Sequence, residues 1–176
     1  MIDISKFNKK GFPVFLMIAG LPGSGKTVLS KRIVSENNFK YISSDEYRIK
    51  LFKDEVEQSN NNILFSKINK DIVYLLNNGK NVLYDATSLL SEHRIKILSL
   101  LTACEKVIFY ITADVEECIK FDAERKRSVG EDLIYEFSRL AQNPSFNEGW
   151  DKIYFCKRSA DFYSKENDYI FEELQK

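Results

Sequence analysis

The chain has no imbalance of charge, since 26 Lys and Arg are matched by 26 Asp and Glu across its 176 residues. That balance gives no broad basic field of the kind long nucleic-acid tracts require, although it leaves room for a local basic pocket. Cysteine is scarce. Cys104, Cys118 and Cys156 are odd in number and far apart, so reduced thiols are expected and zinc is not. No apolar run approaches the roughly 18 residues that cross a bilayer. The run Val14 to Ala19, which follows Lys6, Lys9 and Lys10, is too short for the core of a signal segment. A soluble, cytoplasmic protein without a membrane partner is the expectation. Repeats and linkers are missing too. With 44% hydrophobic content, residues 1–176 read as one domain, with a core at about 13–155 and a tail at 156–176.

What is present is alternation. Short apolar runs at Val14 to Ala19, Tyr41 to Ser43, Val82 to Tyr84, Val107 to Ile111 and Ile153 to Phe155 read as strands. Between them, Lys26 to Ser35, Ile63 to Leu76, Glu92 to Leu101, Val115 to Arg127 and Asp132 to Ala141 carry helical patterns; Ile63, Leu64, Ile68, Ile72, Leu75 and Leu76 follow 3.6-residue spacing. The order implies an α/β fold with a parallel five-stranded sheet and helices on both faces. The tail, with Phe162, Tyr163, Tyr169 and Phe171 among its charges, is expected to dock as a terminal helix or turn.

The segment Gly20 to Thr27, GLPGSGKT, matches the phosphate-binding pattern G-x-x-x-x-G-K-[ST] and lies between an expected strand and an expected helix. Gly20, Gly23 and Gly25 let the backbone turn its amides toward phosphate oxygens, and Ser24 completes the loop. The start of the helix adds its partial positive charge. Lys26 would reach the β- and γ-phosphates, and Thr27 would ligate Mg²⁺. A P-loop NTPase fold binding a nucleoside triphosphate follows.

Ligands of an open parallel sheet sit beyond the carboxyl ends of its strands, which directs attention to Ser44–Arg48 and Asp85–Thr87. Asp45 can accept a proton from an attacking hydroxyl, and Arg48, three residues on, suits a phosphate of the acceptor. The alternative is an ordinary helix start, capped by Ser44 or Asp45. Asp85 reads as an acid that holds Mg²⁺ through a water, as an orienter of Arg48, or as a plain turn residue. Thr87 and Ser88 contact substrate or cap the next helix. Arg125 and Arg127, in the segment Glu124 to Arg127, are either solvated cations at a helix end or part of a helical lid over the triphosphate. His93 is read as a surface or half-buried helix residue, and Phe146, Trp150 and Tyr154 as core.

Taken in order, GLPGSGKT, SSDEYR, VLYDATSLLSEHR, a helix ending in ERKR and NPSFNEGWDKIYF resemble the 5′-hydroxyl polynucleotide kinase family over residues 13 to 155. The resemblance implies ATP as donor and a DNA or RNA 5′ end as acceptor. It also implies Asp45 as general base, Arg48 on the acceptor phosphate and Arg125 on the ATP phosphates. The chain departs from the family pattern at Phe121, where a second lid arginine is usual, and at Asp122, where asparagine is usual; Arg127 is then an alternative lid cation. No sequence remains for the phosphatase or ligase modules that often accompany such kinases, so phosphate addition alone is expected. Two other readings stand beside this one. In the first, the acceptor is a small molecule such as a nucleoside, sugar or nucleotide-sugar. In the second, the chain is a non-kinase NTPase or binding module, although it lacks the N-K-x-D guanine motif. The oligomeric state is left open.

Overall fold

A computed structural model describes residues 7, 11–52, 60–125, 127–158 and 169–176. Lys6, Lys9, Lys10, Lys126, Phe162 and Tyr163 lie outside the described residues. Strands β1 (Val14–Gly20), β2 (Phe39–Ser43), β3 (Asn81–Asp85), β4 (Glu105–Ile111), β5 (Lys152–Arg158) and β6 (Tyr169–Glu173) form one sheet in the order β2-β3-β1-β4-β5-β6. The first five strands are mutually parallel, while β6 runs antiparallel to β5. The expected five-stranded sheet therefore has a sixth strand, built from the tail that was read as a helix or turn. In that tail Tyr169 and Phe171 fall two apart and point to one face, the spacing of a strand rather than a helix. The Phe171 ring meets Phe109 of β4 at 5.1 Å.

Central strand β1 is buried along its whole length, as a strand covered on both faces must be. Its odd residues Phe15, Met17 and Ala19 join a core completed by helix α3 (Asn61–Asn77) through Leu64, Ile68, Ile72 and Leu76. Helices α4 (Ser91–Leu98), α5 (Val115–Ala123) and α6 (Glu131–Leu140) close the same side through Ile97, Cys118 and Ile134. The even residues Val14, Leu16 and Ile18 face α1 (Lys26–Glu36), with Leu29 and Ile33 buried against them. The alternation of β1 thus sets which helix lies on which face.

Helix α4 ends at Leu98 where Leu101 was expected, and two helices differ more. Residues Ser44–Phe52 form α2, which buries no residue fully. Polar links tie it to α3: Tyr47 donates to Asp71 Oδ2 at 2.9 Å, and Arg48 Nη1 donates to Asn61 Oδ1 at 2.8 Å. Helix α5 stops at Ala123 instead of Arg127. The Asp122 carboxylate, 1% exposed, is the reason: it accepts from Ser128 Oγ and Val129 N, both at 2.7 Å, and folds the chain back on itself.

Candidate active site

The loop Leu21–Gly25 leaves the carboxyl end of β1 and enters α1. Gly25 is the N-cap of α1 at φ 94°, with no side-chain cap and no acidic residue in the first turn. Ser24 Oγ is buried and has no hydrogen-bond partner among the described residues. An uncapped helix start beside a buried hydroxyl in need of a partner fits a phosphate chain. The glycines serve a further purpose. A Cβ on Gly23, at φ 75°, would lie 2.1 Å from the carbonyl oxygen of Cys118, so the loop is pressed against α5. One on Gly25 would lie 2.7 Å from the Tyr169 hydroxyl of β6. The glycines admit neighbouring protein as well as any phosphate.

Lys26 donates from Nζ to Leu21 O at 2.7 Å. Burial lowers its pKa from the ordinary lysine value; Asp85, Asp45 and Cys118 act the other way, and Arg125 adds to the lowering. Asp45 and Arg125 are therefore both within electrostatic reach of the Lys26 ammonium. Thr27 Oγ1 donates to Asp85 Oδ2 at 2.9 Å, and the Tyr41 hydroxyl donates to the same oxygen at 2.9 Å. Asp85 is 4% exposed. Among the described residues no three His, Cys, Asp or Glu side chains are grouped to hold a metal alone. The residues fit Mg²⁺ in its usual sharing mode, with Thr27 and Asp85 on one side and substrate phosphates on the other.

Asp45 is exposed in the first turn of α2, with Arg48 half-buried behind it. The helix start is capped by neither Ser44 nor Asp45, because Ser43 Oγ accepts from Glu46 N at 3.4 Å. The buried Tyr84 hydroxyl lies within electrostatic reach of several of these charges. Desolvation pushes its pKa up, Asp85 and Asp45 push in the same direction, and Arg48 opposes them. Asp45, Arg48, Asp85 and Lys26 thus share one end of the sheet. Thr87 and Ser88 cap nothing, since α4 begins at Ser91 with Leu90 as its N-cap. Thr87 O instead accepts from Gly20 N at 3.2 Å, and Ser88 is held at φ 40°.

Arg125 follows α5 and pairs with Asp122 at 3.1 Å, while its side chain stays 48% exposed. Arg127 lies half-buried in the same connection. His93 is on the surface, its side chain 60% exposed. Trp150 is buried and stacks on Phe15 at 6.3 Å, a core residue.

Sequence reasoning missed Arg94, which is fully buried. Its Nε and Nη2 donate to Glu148 Oε2 and Oε1 at 2.7 and 2.6 Å, and its Nη1 donates to Ser88 O and Leu89 O at 3.0 and 2.9 Å. Trp150 Nε1 donates to Glu148 Oε2 at 2.9 Å. The available signal was Arg94 standing between Leu90 and Ile97 on the apolar stripe of α4, where a cation needs a buried partner. Tyr41 and Tyr84 were missed because aromatic residues in strands read as core.

A family model described as an AAA domain matches residues 15–142. Among solved structures, one chain of the Pnkp1/Rnl/Hen1 complex is 25% identical at a TM-score of 0.58, covering 62% of this chain and 38% of that one. A chain of the Pnkp1/Rnl/Hen1 RNA repair complex is 24% identical at a TM-score of 0.66, covering 77% and 46%. A gluconokinase from Sinorhizobium meliloti 1021 is 13% identical at a TM-score of 0.61, covering 83% of each chain. This chain thus spans less than half of the two repair-complex chains it resembles. No curated protein matches. Among the described residues no helix is long and apolar enough to cross a membrane.

Proposed function

The chain belongs to the AAA domain family of P-loop proteins, and from that premise we propose that it transfers the γ-phosphoryl group of ATP to the 5′-hydroxyl of a polynucleotide end. The observation that carries the reading is that Asp45 and Arg48 of α2 and Asp85 at the end of β3 all lie within electrostatic reach of the Tyr84 hydroxyl, with Asp45 and Asp85 also acting on Lys26. A donor site needs no exposed carboxylate and half-buried arginine on a separate helix facing it. An acceptor hydroxyl with an adjacent phosphate needs both.

In this reading the ATP phosphates lie on the start of α1, with Ser24 Oγ and Lys26 donating to them. Thr27 and Asp85 would hold Mg²⁺, which would supply charge neutralisation for the γ-phosphate. Asp45 takes the proton of the 5′-hydroxyl as its oxygen bonds to the γ-phosphorus, and the bond to the bridging oxygen breaks with its electron pair going to ADP. Arg48, its fork anchored on Asn61, holds the acceptor's neighbouring phosphate and aligns the hydroxyl. Thr87 lines the acceptor side. Arg125, or Arg127 after a shift of the connection, spreads positive charge over the transferring group.

The likeness to the gluconokinase over most of both chains favours a second reading, a small-molecule kinase using the same donor site. Incubation with γ-labelled ATP and Mg²⁺, offering a 5′-hydroxyl oligonucleotide of DNA or RNA, a panel of sugars and nucleosides, or no acceptor, separates the two. Label on the oligonucleotide supports the proposal. Label confined to a small molecule or to free phosphate rejects it.

A further inference from the structure

Tyr41 stands in the middle of edge strand β2, in register with Leu83 of β3, while Asp85 is two residues further on and in register with Ser43. Tyr41, Leu83 and Asp85 share one face of the sheet by the alternation of strands, and Tyr41 and Leu83 belong with Leu29 and Ile33 of α1 to the core on that side. A tyrosine leaning along its strand spans the two-residue offset of about 7 Å. Its hydroxyl donates to Asp85 Oδ2 at 2.9 Å. Thr27 Oγ1, in the first turn of α1, donates to the same oxygen at 2.9 Å. Two elements, β2 and α1, therefore hold one carboxylate oxygen between them. Asp85 is almost fully enclosed, and a carboxylate so placed needs such donors. The half-buried Tyr41 ring packs with Val34 against the core, a place that phenylalanine would fill equally well, so what the hydroxyl adds is the bond to Asp85.

We propose that Tyr41 is a positioning residue of the donor site: its hydroxyl holds the Asp85 carboxylate as the acceptor of the Thr27 proton, so that Thr27 can offer its lone pairs to the cation. The inference rests on the reading of Thr27 and Asp85 as the residues that would hold Mg²⁺. A threonine hydroxyl carries one proton and two lone pairs, and it can ligate a cation only through the lone pairs, with its proton directed elsewhere. Asp85 Oδ2 receives that proton. The terminal torsion of an aspartate is broad, so a single hydrogen bond leaves its carboxylate plane free to swing. The second bond, from Tyr41, limits that swing, and partners of this outer kind orient the groups that face a metal. Both bonds fall on Oδ2, which leaves Oδ1 for the water shell of the cation. The reach required also accounts for the residue type. Serine or threonine at position 41 is too short to span the offset, and phenylalanine or leucine has no donor.

The test is Tyr41→Phe in the full chain, which keeps the ring and removes only the hydroxyl, with thermal unfolding measured alongside. ATP affinity is read by calorimetry twice, once in Mg²⁺ and once in EDTA, and the quantity of interest is the ratio of the two affinities. Tyr41→Phe is expected to leave the affinity in EDTA unchanged and to lower the ratio about tenfold, the smaller end of what losing an outer partner of a metal ligand costs. The same substitution in an Asp85→Asn background should change the ratio little, since the group that Tyr41 positions is then already altered. Equal weakening in Mg²⁺ and in EDTA would show a general loosening of the edge strand and would overturn the proposal. A ratio that is unchanged or raised, or one that falls as far in the Asp85→Asn background as in the parent, would overturn it too. If the parent protein binds ATP no better in Mg²⁺ than in EDTA, the reading of Thr27 and Asp85 as the cation site itself fails, and this inference falls with it.

Discussion

Replacing Glu148 with glutamine tests whether the buried pair at the end of α4 holds the acceptor side together. The Glu148 carboxylate is nearly enclosed and accepts from Arg94 Nε and Nη2, from Trp150 Nε1 at 2.9 Å and from Ser145 N at 3.3 Å. Glutamine keeps the shape, removes the charge and turns an NH₂ toward a group of donors. Arg94, fully buried, would then carry an uncompensated charge. Breaking such a pair from one side costs about 3–5 kcal/mol. In a chain of this size each kcal/mol moves Tm by about 2–4 °C, so Glu148→Gln should lower Tm by about 6–20 °C. Scanning calorimetry of this variant, Arg94→Met and the double variant closes a double-mutant cycle. The double variant should lose clearly less than the sum of the singles, though still something, because Trp150 Nε1 and the Ser88 and Leu89 carbonyls lose their partners. At a temperature well below its Tm, Glu148→Gln should raise the acceptor KM more than it weakens ATP, since Arg94 holds Ser88 at φ 40° next to Thr87. A Tm loss under about 2 °C, or additive singles, would refute the argument that this pair is coupled and desolvated.

Asp122 gives a pH signature. Burial raises its pKa, but hydrogen bonds from Ser128, Val129 and Gly130 and the charge of Arg125 outweigh that and hold it below the usual carboxylate value. Its contribution to stability is therefore present above the ordinary aspartate pKa of about 3.9 and is lost as pH falls through the lower folded-state value. Asp122→Asn should lower Tm at pH 7 and flatten the acid limb of a Tm–pH curve; a parallel curve would disprove the assignment. Gly23→Ala places a methyl 2.1 Å from Cys118 O, so it should cost at least about 1–3 kcal/mol and abolish nucleotide binding in a titration. Gly79→Ala, at φ 69° with nothing near its Cβ, should cost only about 1–2 kcal/mol and leave binding intact. Asp45→Asn should reduce phosphoryl transfer about 10²- to 10⁴-fold with ATP affinity nearly unchanged, and near-normal turnover would remove Asp45 as the base. Arg48→Ala should raise acceptor KM and lower kcat; an effect confined to ATP KM would contradict its acceptor role.

The donor half of the candidate site is legible in the sequence because its determinants are local. The strand, the glycine loop and the helix are contiguous, so Gly20 to Thr27 carries its own context. Asp45 and Asp85 could be found by a rule of topology, as residues just past parallel strands. The unread parts have long-range causes. Arg94 and Glu148 are 54 residues apart and form one buried pair, and neither has meaning without the other. Asp122 ends α5 early through contacts six to eight residues ahead, which helical periodicity does not register. Thr87 and Ser88 look like caps in sequence, yet the loop there runs on to Ser91 because Arg94 draws the Ser88 and Leu89 carbonyls inward.

The tail carries this point furthest. A charged segment with scattered aromatics has no helical stripe, and its two-residue spacing is too brief to stand out alone. Its strand character depends on an edge of β5 to pair with and on Phe109 to receive Phe171. Once paired, β6 brings the Tyr169 hydroxyl to Gly25 O, across 144 residues of sequence. The burial-raised pKa of that hydroxyl, about 12, keeps it a proton donor throughout the physiological range. The phosphate loop is therefore held on two outer sides, by the Cys118 peptide of α5 at Gly23 and by β6 at Gly25. A motif that can be recognised from eight residues takes its rigidity from segments that lie far outside it. The residues that tune nucleotide affinity are accordingly to be sought at those two contacts as well as within the motif.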